Sequence, residues 1–463
     1  MGSQSLTGYV DDVPYTFHFT RELAPAWLDF VVTLHGFEAP SRTHGFTWCE
    51  LGCGQGLTAA IFAGTHPTGD FHGIDAYAPH IERARRLCAG AGVYNLTLHA
   101  TDFASACEQD LPPFDYIVAH GVYTWIDAQG KGDMRRFIDR HLKPGGVVFV
   151  SYNSMPGWAN DSPFQFLVRE VARTTAGSST QQFVAAVKQI DALTAAGAPA
   201  LASSYMATGG LEKLRQDLPN NYFAHEFLPS AWQPLYVTQV RADMAGLGLV
   251  PAGSATVREN FDSFVLTRAA REALADIADA DVRELARDFF LDQRFRRDVF
   301  VRGARRISDE ERDQRLMDSV FDLQHPVGLV EYAMKTQAGT FDFDNPTTRN
   351  VIDAFRTGPK RLADMPSDAA SEVDPLSGVL ALCAANQIRP VEATSANVAK
   401  LNRALLEHIG GTESLRFVAL PSGTGVAVSQ ALAAEPRAGE VVSVDRLRWR
   451  EFVSRWNGGT VER

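Results

Sequence analysis

Residues 48–56 read Trp-Cys-Glu-Leu-Gly-Cys-Gly-Gln-Gly. Apolar positions lead into Glu50, and glycines follow at Gly52, Gly54 and Gly56. A strand that ends in such a loop brings bare backbone N–H groups against a nucleotide-like ligand, because no Cβ blocks the approach. The next strand-like run, Phe71-His72-Gly73-Ile74-Asp75, ends in an acid. An acid about 20 residues past the glycines is where doubly wound folds hold a pair of ribose hydroxyls. The run Leu96-Thr97-Leu98-His99-Ala100 ends at Thr101-Asp102-Phe103, and Asp102 and Phe103 suit an adenine amino group and its ring. The dinucleotide fingerprint GxGxxG needs glycine at position 57, which is Leu57. A plain glycine turn between strand and helix would leave the spaced acids unexplained.

Strand and helix signals alternate outward from this loop. Strands are expected at Phe46 to Glu50, Phe71 to Asp75, Leu96 to Thr101, Phe114 to Ala119 and Val147 to Asn153. Helices are expected from Gln55, over Pro79 to Leu87 and through Met134, Phe137 and Ile138, with a turn at Leu142-Lys143-Pro144-Gly145-Gly146. Apolar strands separated by short helices predict a parallel sheet covered on both faces. From Met155 to about Ser230 the pattern turns helical, and core elements resume later. Trp232 to Leu247 is an expected helix, and Val250 to Val257 with Asp262 to Thr267 an expected closing β-hairpin. An excursion this long exceeds ordinary loops and predicts an insertion. The expected organisation is a core over residues 1–155, a helical insertion over 156–230, the rest of the core over 231–268 and a mainly helical accessory domain over 269–463. Within that last part Asp279 to Leu291 reads as an amphipathic helix, Pro359 to Pro366 as a linker, and Ser371 to Ile409 as largely helical with a break at Pro390.

The net charge of −11 disfavours a general nucleic-acid or anionic-membrane binder, which would need a basic face. One basic run stands out, with Arg294, Arg296, Arg297, Arg302, Arg305 and Arg306. It reads either as a nucleic-acid patch or as a solvated surface that pairs with Asp309, Glu310 and Glu311. Five cysteines in 463 residues suggest reduced thiols rather than a disulfide framework. Cys49 and Cys53 flank the glycine loop without further ligands at metal-binding spacing, so no metal is expected. Residues 1–6 show no secretory pattern, and no apolar run reaches the ~18 residues that span a bilayer. A cytoplasmic protein is expected.

The spacing GxGxG, with Glu50 two residues before the first glycine, resembles motif I of class I S-adenosylmethionine methyltransferases. Three runs narrow the resemblance: His120-Gly121-Val122-Tyr123-Thr124-Trp125-Ile126, Lys143-Pro144-Gly145-Gly146-Val147, and Val150 through Trp158. They are similar to bacterial class I methyltransferases with a methyltransferase regulatory domain, a group that includes rickettsial-type outer-membrane-protein lysine methyltransferases. The similarity extends to Ala224-His225-Glu226-Phe227-Leu228, Pro234-Leu235-Tyr236 and Phe290 through Arg296. It covers roughly residues 10 to 310 and does not fix the methyl acceptor.

The resemblance implies a Rossmann-like α/β sheet, S-adenosylmethionine as cofactor, and a set of binding residues. Gly52, Cys53, Gly54 and Gly56 would face the methionine and ribose, and Glu50 would organise the loop or the methionine amine. Asp75 would take the ribose hydroxyls, with Ala76 and Tyr77 at the adenine border. Asp102 and Phe103 would hold the base, and His120 and Gly121 sit at the carboxyl edge of strand four. His120, Tyr123, Trp125, Tyr152, Asn153 and Trp158 are the acceptor-side candidates. Aromatic side chains there would face the sulfonium or wall a lysine. A lysine acceptor must also lose a proton, and His120 is the first candidate base, with backbone positioning as its other reading. Tyr123 and Trp125 read equally as core aromatics. Tyr15, Phe17 and Phe19 read as a lid or as plain packing, and His225-Glu226 as a site pair or a structural hydrogen bond.

Three functions follow as expectations: a protein lysine methyltransferase, a small-molecule O-, N- or C-methyltransferase, and a non-catalytic cofactor-binding regulator. The partner is a protein or small-molecule methyl acceptor. Nucleic acid is not expected: the run after strand four reads Ala119-His120-Gly121-Val122 rather than the Pro-Pro motif of base-amine enzymes, and no Pro-Cys dipeptide occurs.

Overall fold

A computed structural model describes residues 10–325, 327–366, 373–392, 398–409 and 417–427. The N-terminal hexapeptide and the chain beyond residue 427 lie outside them. The central element is a seven-stranded sheet. Its strands are β1 (Phe46–Leu51), β2 (Gly69–Asp75), β3 (Leu96–Ala100), β4 (Phe114–Ala119), β5 (Leu142–Asn153), β6 (Leu249–Ser254) and β7 (Phe295–Arg302). They are ordered β3-β2-β1-β4-β5-β7-β6. β1 to β5 are parallel, and β7 runs antiparallel between β5 and β6. The order reverses beside β1, so the carboxyl ends of β1 and β4 flank the crevice where open α/β sheets bind ligands.

Alternation along the strands explains why both faces are covered. Trp48, Phe71, Tyr116 and Phe149 enter one apolar cluster, while Leu51, Ile74, Ile117 and Val150 enter another across the sheet. The helices α1 (Pro25–Leu34), α2 (Leu57–Thr65), α3 (Ala78–Ala91), α4 (Phe103–Cys107) and α5 (Ala128–His141) flank it. The expected turn at Leu142 to Gly146 is absorbed into β5, with a register shift opposite Phe114 and Tyr116.

Between β5 and β6 lie α6 (Ser162–Arg173), α7 (Ser179–Ala195), α8 (Pro199–Ala202), α9 (Leu211–Asp217), α10 (Asn220–Phe227) and α11 (Val237–Ala245). Trp158, Phe164, Phe183, Phe223 and Phe227 give the insertion helices an apolar cluster of their own.

The expected closing hairpin is not what forms. Val250 falls in β6, but Asp262–Val265 is a short helix, and the antiparallel partner of β6 is β7, about 40 residues later. Four charged residues in Phe-Arg-Arg-Asp-Val-Phe-Val-Arg disguise this strand. Two of them pair in the interior: buried Arg296 meets Asp298 at 3.0 Å, and also Asp288 at 2.5 Å and Glu284 at 2.7 Å. The expected pairing of the arginine run with Asp309, Glu310 and Glu311 forms, among the described residues, at Glu311, which exposed Arg305 meets at 2.6 Å, while the other arginines turn to different partners. Arg294 pairs with Asp161, Arg297 donates to Thr256, Arg302 pairs with Asp139, and Arg305 reaches Glu38 and Glu311.

The C-terminal part also departs from expectation. Lys360–Arg361, inside the expected linker, pairs with a strand at Val320–Leu323. Ile388–Val391 pairs on the other side of that strand. Pro390 thus sits in an edge strand, where a missing N–H is tolerated, rather than at a helix break. Helices Pro375–Ala384 and Ala399–Ile409 flank it. Among the described residues no helix is long and apolar enough to cross a membrane.

Candidate active site

The glycine loop leaves β1 in left-handed backbone. Gly52 has φ +74° and Gly54 φ +52°, conformations that disfavour side chains. A Cβ on Gly52 would lie 2.4 Å from Val122 Cγ2, whereas one on Gly54 meets nothing closer than Tyr15 Cδ1 at 4.0 Å. Gly52 is thus fixed by packing, and Gly54 opens onto a cavity. The N–H groups of Gly52 and Cys53 donate to the Ile74 carbonyl (2.8 and 3.0 Å), which ties the loop to the end of β2. There Asp75 accepts from the N–H of Gly54 (2.8 Å) and of Tyr77 (2.9 Å). Asp102 accepts from the Ser105 N–H (2.7 Å) as the N-cap of α4.

These groups line a cavity of about 530 Å³. One half is bordered by Gly52, Gly54, Asp75, Ala76, Asp102 and Phe103, and His120 and Gly121 lie beside it. The other half is bordered by Trp125, Asn153 and Trp158 from the core and by Tyr222, Glu226 and Phe227 from α10.

Five expected site residues lie outside that lining. Gly56 caps α2, where a Cβ would lie 2.8 Å from that of Ala84, and Cys53 is a buried packing thiol beside Gly73. Glu50 is buried, and its Oε2 has no hydrogen-bond partner. Burial, then the Asp75 charge, pushes its carboxyl up to about 8. Tyr123 and Tyr152 point into the core, where their hydroxyls donate to Asp243 and Asp298 (2.6 and 2.7 Å). Odd and even strand positions face opposite ways, so Asn153 reaches the cavity and its neighbour Tyr152 does not.

His120 Nδ1 lies 2.9 Å from Ser151 Oγ, and its ring stacks on His18 at 6.2 Å. Burial, then His18 and Arg297, holds the imidazole well below its ordinary range, so it is neutral and weakly basic. Residues 12–20 form a strap across the cavity. Asp12 accepts from Ser179, Asn221 Nδ2 donates to Pro14 O, and His225 Nε2 donates to Val13 O. On the loop side the Tyr15 N–H meets His80, Gln55 donates to Tyr15 O, and the Thr20 N–H meets Thr58. Tyr15 lines the cavity, while Phe17 and Phe19 join the core.

Glu226 is the group that sequence reasoning underrated. Its Oε1 accepts from Asn153 Nδ2 at 3.1 Å, and its backbone carbonyl accepts from the Trp125 indole at 3.3 Å. Burial pushes the carboxyl up to about 7, against the Asn153 hydrogen bond. Only the meeting of the Glu226 and Asn153 side chains makes this visible, and no spacing in the sequence announces it.

The chain matches the model of a methyltransferase domain over residues 49–148 and that of a predicted methyltransferase regulatory domain over residues 219–302. It is 32% identical over 366 residues to an uncharacterized protein of Synechocystis, an alignment that covers 79% of this chain and 72% of that protein. The chain belongs to the class I methyltransferases that carry a methyltransferase regulatory domain. It is an S-adenosylmethionine-dependent enzyme. An uncharacterized protein of Rickettsia prowazekii is 30% identical over 148 residues, covering 32% of this chain and 58% of that protein. Among solved structures the fold matches PKMT2 from Rickettsia typhi in complex with AdoHcy, with TM-score 0.68, 18% identity and coverage of 96% and 97% of the two chains. In this methyltransferase the regulatory-domain match takes in α10, α11, β6 and β7, so it contributes two strands of the sheet and Glu226.

The residues present fit the cofactor. Gly54 leaves room that a Cβ would fill, and Asp75 and Asp102 present carboxylates at the ends of β2 and β3. The unpartnered Glu50 oxygen sits behind the loop as a potential counter-charge for a cationic amine. S-adenosylmethionine held there would supply an electrophilic methyl group. The protein's share is to align the acceptor with that methyl and exclude water.

Proposed function

We propose that this methyltransferase acts on the side-chain amine of a lysine in a protein. The observation that carries the reading is the charge of the cavity. Asp75, Asp102, Asp127 and Glu226 line it, together with Asp133, which is paired to Arg136, and Arg294 is the one lysine or arginine in its lining among the described residues. Arg294 is already paired with Asp161 at 2.7 Å. Burial lowers the pKa of both His120 and His225, the latter to about 4, so neither adds positive charge. An acidic, aromatic-walled cavity favours an ammonium that enters as a cation. The runs quoted above, similar to rickettsial-type lysine methyltransferases, support the same acceptor, as does the fold shared with PKMT2.

On this reading Glu50, Gly52, Cys53, Gly54 and Gly56 shape the cofactor loop. Asp75 and Ala76 take the ribose side, and Asp102 and Phe103 the adenine. His120 and Gly121 border the methyl group, and Trp125 and Asn153 wall the acceptor. Residues 1–155 with α11, β6 and β7 act as the catalytic unit, and α6 to α10 close its acceptor side. The free, buried cysteines support a reduced, cytoplasmic setting.

The test is to incubate the enzyme with methyl-tritiated S-adenosylmethionine and a bacterial protein extract. Label on protein, with methyl-sized mass steps on lysines, is the expected outcome. Label confined to small metabolites would overturn the lysine reading in favour of a small-molecule acceptor.

A further inference from the structure

We infer that Glu226 takes the proton from the acceptor lysine, with Asn153 as the positioning residue that aims its carboxylate. This rests on the lysine reading above. A lysine arrives as an ammonium and attacks only after it has lost a proton, so the acceptor half needs a base.

The carboxylates of the cavity can be told apart by their partners. Asp75 is held by the Gly54 and Tyr77 N–H groups, and Asp102 by the Ser105 N–H. Asp127 caps α5 through the Gly130 N–H (2.8 Å). Asp133 is taken by Gln129 (2.8 Å) and Arg136 (2.5 Å). Each is a structural acceptor already engaged by an N–H group or a guanidinium. Glu226 accepts a side-chain hydrogen bond from the neutral Asn153 amide and has no arginine or lysine pair among the described residues. The titratable groups around it are Tyr15 from the strap and Tyr222 from its own helix, both of which its charge pushes further up. Both therefore stay neutral. A buried carboxylate without a cation is costly unless a ligand supplies one. A lysine ammonium is such a ligand, and the aromatic walls suit its methylene stem.

His120 is the weaker base by position and chemistry. Its Nδ1 meets Ser151, its ring packs against His18 and Phe295, and burial depresses its basicity. The Asn153–Glu226 bond joins the carboxyl edge of β5, where ligands bind in such sheets, to the insertion that closes the cavity.

The lysine ammonium donates one proton to the Glu226 carboxylate, which becomes a carboxylic acid, and leaves a neutral amine. The nitrogen lone pair forms the new N–C bond, the S–C bond breaks, and its electron pair returns to sulfur as a thioether. The product is a methylammonium that keeps the positive charge. Glu226 then releases its proton to solvent.

The experiment uses the full chain with a protein acceptor labelled by wild type. AdoHcy affinity is measured by calorimetry, and kcat/KM is followed from pH 5.5 to 9. Glu226→Gln should bind AdoHcy within about twofold of wild type and lose about 100-fold in kcat. The wild-type rise in kcat/KM near pH 7 should vanish with it. Glu226→Asp, which keeps the carboxylate, should retain that rise at a reduced rate. Should wild type show no rise between pH 6 and 8, or Glu226→Gln keep kcat within threefold with an unchanged profile, the inference is overturned while lysine methylation stands. Should wild type label no protein lysine at all, the lysine reading falls first, and this inference with it.

Discussion

Asn153 Nδ2 donates to Glu226 Oε1 across 3.1 Å, joining the last residue of β5 to the last turn of α10. The catalytic sheet and the insertion thus share one hydrogen bond inside the cavity. Because that bond favours the ionised carboxylate, it opposes the rise that burial imposes on Glu226. Asn153→Ala should therefore move the Glu226 ionisation above its present value near 7. The activity limb should shift to higher pH, with kcat down several-fold at pH 7 and largely restored at pH 9. An unmoved midpoint in the pH profile would show that Asn153 does not set the state of Glu226.

Tyr152 and Tyr123 belong to the core despite their place beside site residues. Tyr152→Phe removes a hydrogen bond to Asp298 within the Arg296 network and should cost about 2 kcal/mol, since bonds to charged partners are the stronger ones. Tyr123→Phe removes a bond to the more exposed Asp243 and should cost about 1 kcal/mol. Denaturant melts should show both losses, and kcat/KM should stay within twofold of wild type. A tenfold fall in kcat for Tyr152→Phe would return that residue to the site.

The part of this architecture readable from sequence was the part encoded locally. The strands through Asn153 are short apolar runs bounded by glycine and acid, and their ends carry Gly52, Gly54, Asp75 and Asp102 into one cavity. β7 was unreadable for a physical reason. Arg296 is buried among Asp298, Asp288 and Glu284, and such pairing over distance leaves no periodicity. Tyr152 and Asn153 show the same limit on a smaller scale, because adjacent residues on a strand face opposite sides. Glu226 became visible only once its side chain met Asn153, a contact between residues 73 positions apart.

Gly52 and Gly54 should fail differently. In Gly52→Ala the new Cβ would meet Val122 at 2.4 Å while the backbone stays left-handed, so the loop itself must shift. A loss of about 2 kcal/mol in stability together with weakened AdoHcy binding is expected. Gly54→Ala faces open space and should cost only the left-handed backbone, about 1 kcal/mol. Gly54→Arg should leave the protein folded but abolish AdoHcy binding, because its side chain would fill the room beside Asp75. Calorimetry and thermal melts of the three variants separate these outcomes. Turnover by Gly54→Arg would mean that the cofactor lies elsewhere.

Glu50 is a titration experiment in itself. Its folded-state carboxyl is pushed up to about 8, from an unfolded value near 4.5, by burial and then by Asp75. The protonated form is thus the one the fold prefers. The sign follows from linkage: the folded state binds more protons than the unfolded state between these values, so this group's stabilising contribution is full below about pH 4.5 and is lost as pH rises through 8. Glu50→Gln should match wild type near pH 5 and exceed it by up to about 4 kcal/mol above pH 8 in the absence of ligand. Ligand should reverse the order. If the cofactor's amine meets the unpartnered Oε2, it stabilises the carboxylate, so AdoHcy should raise the wild-type Tm more at pH 8.5 than at pH 6. In Glu50→Gln that gain should be smaller and insensitive to pH. Equal gains at both pH values in wild type would leave Glu50 as an organiser of the glycine loop with no contact to the amine.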